Sequence, residues 1–134
     1  MKNKNSGMTI VEIFIVLAIV GILIGIGYPN YIRYVTESRR TDAMAFMLEA
    51  MQRQERYFTE NLEYTTQLTK LGYGSDAMIT EGEAYSVRAA ACLTGVTGPC
   101  VRLVATPRGI QHSRDNGLEL TVDSRGRRTG IWND

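Results

Sequence analysis

One histidine, two cysteines and almost no net charge restrict what this chain can do. His112 lies in a polar, turn-like stretch and reads as a solvated side chain, with no nucleophile or base at a spacing that would enlist it. No phosphate-binding glycine loop and no four-ligand metal spacing is present, so neither a catalytic residue nor a cofactor nor a metal is expected. The net charge is +1, and removal of Lys2 and Lys4 from the front would make it −1. Neither value suits bulk binding of a polyanion, and nucleic acid is not expected as a partner. Cys92 and Cys100 stand close together without a histidine cluster. That suits one disulfide better than zinc and would place this half outside the cytoplasm, the alternative being two reduced thiols.

What the chain has in plenty is an apolar run. Residues 13–26 carry no polar side chain, and counting from Met8 gives about 19 residues, or about 28 Å of helix, close to a bilayer core. A secretory signal would be shorter and would end in an Ala-x-Ala pattern, where this chain has Gly27-Tyr28-Pro29-Asn30. A plain membrane anchor fits the hydropathy but leaves Glu12 unexplained. A charge costs about 2.5–3.5 kcal/mol at the bilayer centre and less near the interface, so Glu12 at headgroup depth is the bland alternative.

Taken together, Ser6-Gly7-Met8-Thr9-Ile10-Val11-Glu12, the Lys-bearing start, the apolar run and Gly27-Tyr28-Pro29-Asn30-Tyr31 resemble the N-terminus of type IV prepilins. The resemblance implies a leader, residues 1–7, cut after Gly7 by prepilin peptidase, and N-methylation of the new terminus, Met8. Most members have Phe at that position. It also implies that Glu12 meets the terminal amine of a neighbouring subunit during assembly. Both charges are costly among apolar helices unless paired, and such a pair sets register. Lys2 and Lys4 precede the span while Arg33, Arg39 and Arg40 follow it, so charge does not orient it. The resemblance does, with a cytoplasmic leader.

Past Pro29 the apolar pattern becomes a stripe: Ala43, Phe46, Met47, Ala50, Met51, Gln54, Tyr57 and Phe58 recur at helical spacing. A single helix from about residue 8 to about residue 58 would be roughly 75 Å long. The remaining residues cannot cover that length, so half of it must be buried by lipid and then by sister helices in a fibre. Gly21, Gly25, Gly27 and Pro29 make a weak point where the helix can kink or melt, although glycines also permit close helix contact.

Residues 59–83 read as an irregular connector with one helical turn at 66–71. Strands are expected at 85–91, 101–105 and 118–122, with a turn at Asp123-Ser124-Arg125-Gly126 and a last strand at 128–132. The expected fold is therefore α+β, a long N-terminal helix packed on a roughly four-stranded antiparallel sheet. Its parts are the leader 1–7, a membrane and filament-core helix 8–30, and a globular domain 31–134. A Cys92–Cys100 bridge would clip the loop between the first two strands, contributing about 2–3 kcal/mol.

Tyr57-Phe58-Thr59-Glu60-Asn61 with Tyr64-Thr65, and Leu103-Val104-Ala105-Thr106-Pro107 with Gly109, Gln111, Asn116-Gly117-Leu118, Leu120 and Gly126, resemble the minor-pilin branch of PilE-type pilins. Asn116 stands where many members have cysteine, so their disulfide topology is not carried over. The resemblance implies a structural, non-enzymatic subunit of a retractable pilus used in motility and adhesion. Its partners would be other major and minor pilins, prepilin peptidase and the inner-membrane assembly machinery. It would sit in the inner membrane before assembly and in an extracellular pilus afterwards. The alternatives are a secretion pseudopilin or a DNA-uptake pilin. Pseudopilins often hold calcium, but Asp115, Glu119, Asp123 and Asp134 show no loop grouping. Arg125, Arg127 and Arg128 form a small basic cluster, read as solvated arginines on a hairpin rather than a DNA contact.

Overall fold

A computed structural model describes residues 8–132. The expected leader and its cleavage site after Gly7 lie outside the described residues, as does Asp134. The first helix, α1, runs over Ile10–Asn61. The chain divides into two compact units, Met1–Val35 and Thr36–Asp134, and α1 belongs to both.

In the first unit, Thr9 caps the helix: its Oγ1 accepts the Glu12 N–H at 3.2 Å, and its carbonyl accepts the Ile13 N–H at 3.2 Å. An acid in the first turn complements the helix dipole. The segment is long and apolar enough to cross a membrane. Its large side chains are exposed among the described residues, from Ile10 at 74% to Ile26 at 65%. The helix is continuous through Pro29. Pro29 cannot donate to the Gly25 carbonyl, and next to this gap Asn30 Nδ2 donates to the Ile26 carbonyl at 3.1 Å.

In the second unit, the striped half of α1 buries Ala43, Met44, Met47, Ala50 and Gln54. The apolar members of this stripe meet Tyr85, Val87, Leu103, Ala105, Leu120 and Val122 in one core. These sheet residues sit at alternate positions, so each strand turns one face inward. Gln54 is polar yet fully buried. It donates to the Thr65 carbonyl at 2.6 Å and accepts the Thr65 N–H at 3.1 Å, which satisfies its amide and pins the connector to the helix.

The sheet is an antiparallel meander of five strands: β1 Ala77–Ile79, β2 Tyr85–Ala91, β3 Val101–Pro107, β4 Leu120–Asp123 and β5 Arg128–Thr129. The strand beyond the expected four is β1, inside the stretch read as irregular. At three residues it is too short to show alternation. The helical turn expected at 66–71 is the short 3-10 turn Leu68–Leu71, and a second such turn, Glu81–Glu83, follows β1. Between β3 and β4 stands a second helix, α2, Gly109–Arg114, where a polar turn was expected, and His112 is exposed on it. Asn116 and Gly117, at φ 52 and 70, then reverse the chain, so β4 starts at Leu120 rather than Leu118.

Candidate functional site

Three features of the molecule carry chemistry, and the simplest is the capped start of α1. Thr9 and Glu12 are the first and fourth residues of a Thr-x-x-Glu pattern, half of a capping box. The bond uses the Glu12 backbone N–H, and the Glu12 side chain adds its negative charge in the first turn, beside the positive end of the helix dipole. Gly21, Gly25 and Gly27 lie on this segment with open space around each.

The second feature is a buried polar network centred on Asp115. The Asp115 Oδ1 accepts from Arg40 Nε at 2.9 Å and Nη2 at 2.5 Å, and Oδ2 accepts from Gln111 Nε2 at 2.9 Å and from the Tyr85 hydroxyl. Gln111 Nε2 also points at the Thr36 carbonyl at 3.3 Å, and Arg114 Nη1 donates to Thr36 Oγ1 at 3.2 Å. Burial pushes the Asp115 carboxyl up. The bonds from Arg40, Tyr85 and Gln111, with the Arg40 charge, outweigh burial and hold it below the usual carboxylate range. Burial and the neighbouring carboxylate push the Tyr85 phenol well above its ordinary value, so it stays a donor. The network ties Arg40 on α1 to β2 and to the end of α2.

The third feature is a groove on the outer side of the sheet. Cys92 and Cys100 are joined in a disulfide with Cα atoms 5.7 Å apart, closing the loop between β2 and β3. That loop and the β4–β5 hairpin flank a cavity of about 350 Å³, lined by Thr94, Gly95 and Val96 on one side and Arg102, Arg127 and Thr129 on the other. Asp123 builds the hairpin. Its Oδ1 accepts the Arg125 and Arg127 N–H groups at 3.0 and 2.9 Å, and its Oδ2 accepts Arg127 Nε at 2.7 Å. Burial raises the Asp123 carboxyl, but these bonds outweigh it and leave it below the usual range.

The arginine cluster read from the sequence separates into three settings. Arg127 lines the groove, Arg125 reaches over to donate from Nη2 to the Thr97 carbonyl, and Arg128 stands 4.9 Å over the Trp132 ring. The fold adds Arg102, whose Nε donates to the Ala91 carbonyl at 3.0 Å. No local signal brings Arg102 to Arg127, since β3 and β4 must pair first.

Of the acids considered for calcium, the three among the described residues are engaged separately. Asp115 and Asp123 serve the bonds above, while Glu119 accepts from Thr106 Oγ1 at 2.6 Å. Among the described residues, Cys92, Cys100 and Asp123 group potential ligand atoms, but the two sulfurs are bonded to each other.

The family described as "Type IV minor pilin ComP, DNA uptake sequence receptor" matches residues 29–120. The "Type IV major pilin protein PilA" of Myxococcus xanthus is 30% identical over 88 residues, covering 66% of this chain and 38% of that protein. A "Fimbrial protein" of Pseudomonas aeruginosa is 29% identical over 133 residues, covering 98% of this chain and 85% of its own length. The "Type IV wide pilus major component PilA4" of Thermus thermophilus is 31% identical over 112 residues, covering 80% of this chain and 85% of that protein.

Proposed function

The chain belongs to the type IV pilin family, and from that premise we propose that it is a minor subunit of a type IV pilus, serving assembly, twitching motility and surface adhesion. The observation that carries the reading is the uncovered apolar face of α1, with large side chains exposed from Met8 to Tyr34. Such a face is stable only in lipid or among like helices. Before assembly it sits in the inner membrane. After prepilin peptidase removes residues 1–7 and Met8 is methylated, residues 8–30 join the filament core while residues 31–134 face outward. Minor rank is supported by the description matching residues 29–120, although the Myxococcus and Thermus relatives are named as major components. Deleting the gene and scoring surface filaments, motility and secretion separately tests the proposal. Reduced piliation and motility are expected, and intact piliation with lost secretion would overturn it in favour of a pseudopilin.

A second reading, a DNA-uptake pilin, is favoured by one observation: the matched family is described as a DNA uptake sequence receptor. The near-neutral chain argues against binding by bulk charge, so any contact must be local. Full-length protein in non-ionic micelles should then bind a labelled DNA strand in a salt-sensitive manner. Absence of binding at low salt would remove the reading.

A further inference from the structure

We propose that Cys92, Cys100 and Asp123 form a metal site in the thiol state of the chain: while the two cysteines are reduced they hold a thiophilic divalent cation of the zinc class, which disulfide formation expels. The loop between β2 and β3 then has two alternative closures, one coordinate and one covalent.

Strand pairing gathers the three ligands. Cys92 directly follows β2 and Cys100 directly precedes β3, and the Cα atoms of the two are 5.7 Å apart. Pairing of β3 with β4 sets Asp123 opposite Arg102, beside that loop base. One ligand atom from each of Cys92, Cys100 and Asp123 lies within 4.8 Å of the others. The apolar core contains neither cysteine, so the pairing that brings them together does not depend on the S–S bond. Two sulfurs each about 2.3 Å from one ion stand about 3.8 Å apart at a tetrahedral angle. Rotation about the two Cα–Cβ bonds supplies that separation with the backbone in place.

Asp123 is prepared for the third position. A carboxylate offers about four lone-pair sites. Oδ1 takes the Arg125 and Arg127 N–H groups and Oδ2 takes Arg127 Nε, which among the described residues leaves one lone pair, on Oδ2. These donors fix the orientation of the carboxylate, the task that outer-shell groups perform at metal sites. Two thiolates and a carboxylate balance the charge of a divalent ion together with the Arg127 guanidinium, so the loaded site is neutral. Cys92 and Asp123 also line the groove of about 350 Å³, which gives the ion a path in and leaves the fourth position to water. Two sulfur ligands select against calcium and magnesium, which take oxygen.

Loading displaces one proton from each thiol. Unloading needs a disulfide carrier: the two thiolates give two electrons to its S–S bond, it takes up two protons and leaves as a dithiol. The Cys92–Cys100 bond forms and the ion departs. Until then the ion keeps loop 93–99 shut and both thiols out of reach of other partners.

The test reduces the full chain in non-ionic micelles with a phosphine, which adds no competing thiol, removes the reductant without air and titrates with Cd²⁺. Native mass spectrometry should find one ion per reduced chain and none on the oxidised chain, and ultraviolet absorption should show a thiolate-to-metal charge-transfer band. Zn²⁺ should displace Cd²⁺, and excess Ca²⁺ should not. Cys92→Ser and Cys100→Ser should each lose the stoichiometric ion. Asp123→Asn should weaken binding by about 10–100-fold, the range seen when one supporting group of a site is lost. Asp123→Glu should restore part of the affinity, which a merely structural role in the hairpin would not explain, and Glu119→Gln, outside the cluster, should change nothing. Adding a small-molecule disulfide to the loaded chain should release the ion as the thiols disappear. A reduced chain that takes up no ion, an ion shared by two chains, equal uptake by the oxidised chain, or undiminished affinity in Asp123→Asn would each overturn the site.

Discussion

Asp115 shows how much a single side chain can decide in a domain of this size. Its side chain is 1% exposed and that of its partner Arg40 is 16% exposed. Desolvating both ions offsets most of their attraction, so the pair adds little net stability, but removing one partner strands the other. Asp115→Asn should therefore lower the unfolding free energy by about 3–5 kcal/mol, seen as a lower urea midpoint. Replacing Arg40 and Asp115 together by apolar residues should cost much less. The folded carboxyl lies below its unfolded value of about 3.9. The contribution is thus fully present above about pH 4 and is lost as pH falls through the lower folded value. The gap between wild type and Asp115→Asn should be constant from about pH 5 to about pH 7 and should narrow below about pH 4. A gap that widened on acidification would contradict the pairing.

Among the elements, the β4–β5 hairpin is the most finely constrained. Gly130, at φ 101, faces the Glu119 carbonyl oxygen so closely that an added Cβ would collide with it. Gly126, at φ 79, has open space around it. Gly126→Ala should cost about 1–2 kcal/mol for the left-handed backbone alone. Gly130→Ala adds the collision and should cost more, because either β5 or the start of β4 must move. Paired thermal unfolding of the two variants checks the order, and equal losses would mean that the strand ends yield freely. Helix α1 differs in kind: its second half is held by the core cluster, while the large apolar side chains of its first half are exposed among the described residues. The Thr9 cap uses the Glu12 backbone N–H, which any residue there supplies, so removing the side chain has two consequences to weigh: the loss of its length and polarity at the helix start, and the loss of its charge toward a partner.

At the scale of the whole molecule, those two consequences can be separated. Glu12→Val should still yield a cleaved subunit, because the cleavage site proposed after Gly7 is untouched, but one that enters filaments poorly. Glu12→Gln keeps length and hydrogen bonding without the charge. If only the length and polarity of the side chain at the helix start matter, Gln should restore incorporation. If it neutralises a neighbour's amine, Gln should fail as Val does. Quantifying the subunit in sheared filaments reads the outcome, and normal incorporation of Glu12→Val would end the register role. Gly7→Val should leave the leader attached, visible as an unshifted N-terminal mass on intact protein.

The sequence by itself determined the apolar span, the long helix with its change from continuous to striped hydrophobicity, and the α+β class. These are periodic patterns written in neighbouring residues, and local sterics and burial enforce them wherever the chain goes. It also placed the Asp123-Ser124-Arg125-Gly126 turn, whose conformation depends on its own four residues. Strand β1 and helix α2 escaped because three and six residues are too few to establish a period. Only the tertiary structure brought Arg40 to Asp115 and Arg102 to Arg127. Such partners meet because a helix docks and strands pair across long sequence gaps, and no local spacing encodes that. The same pairing sent three neighbouring arginines to three different tasks, since side chains along a strand and its turn point to different faces.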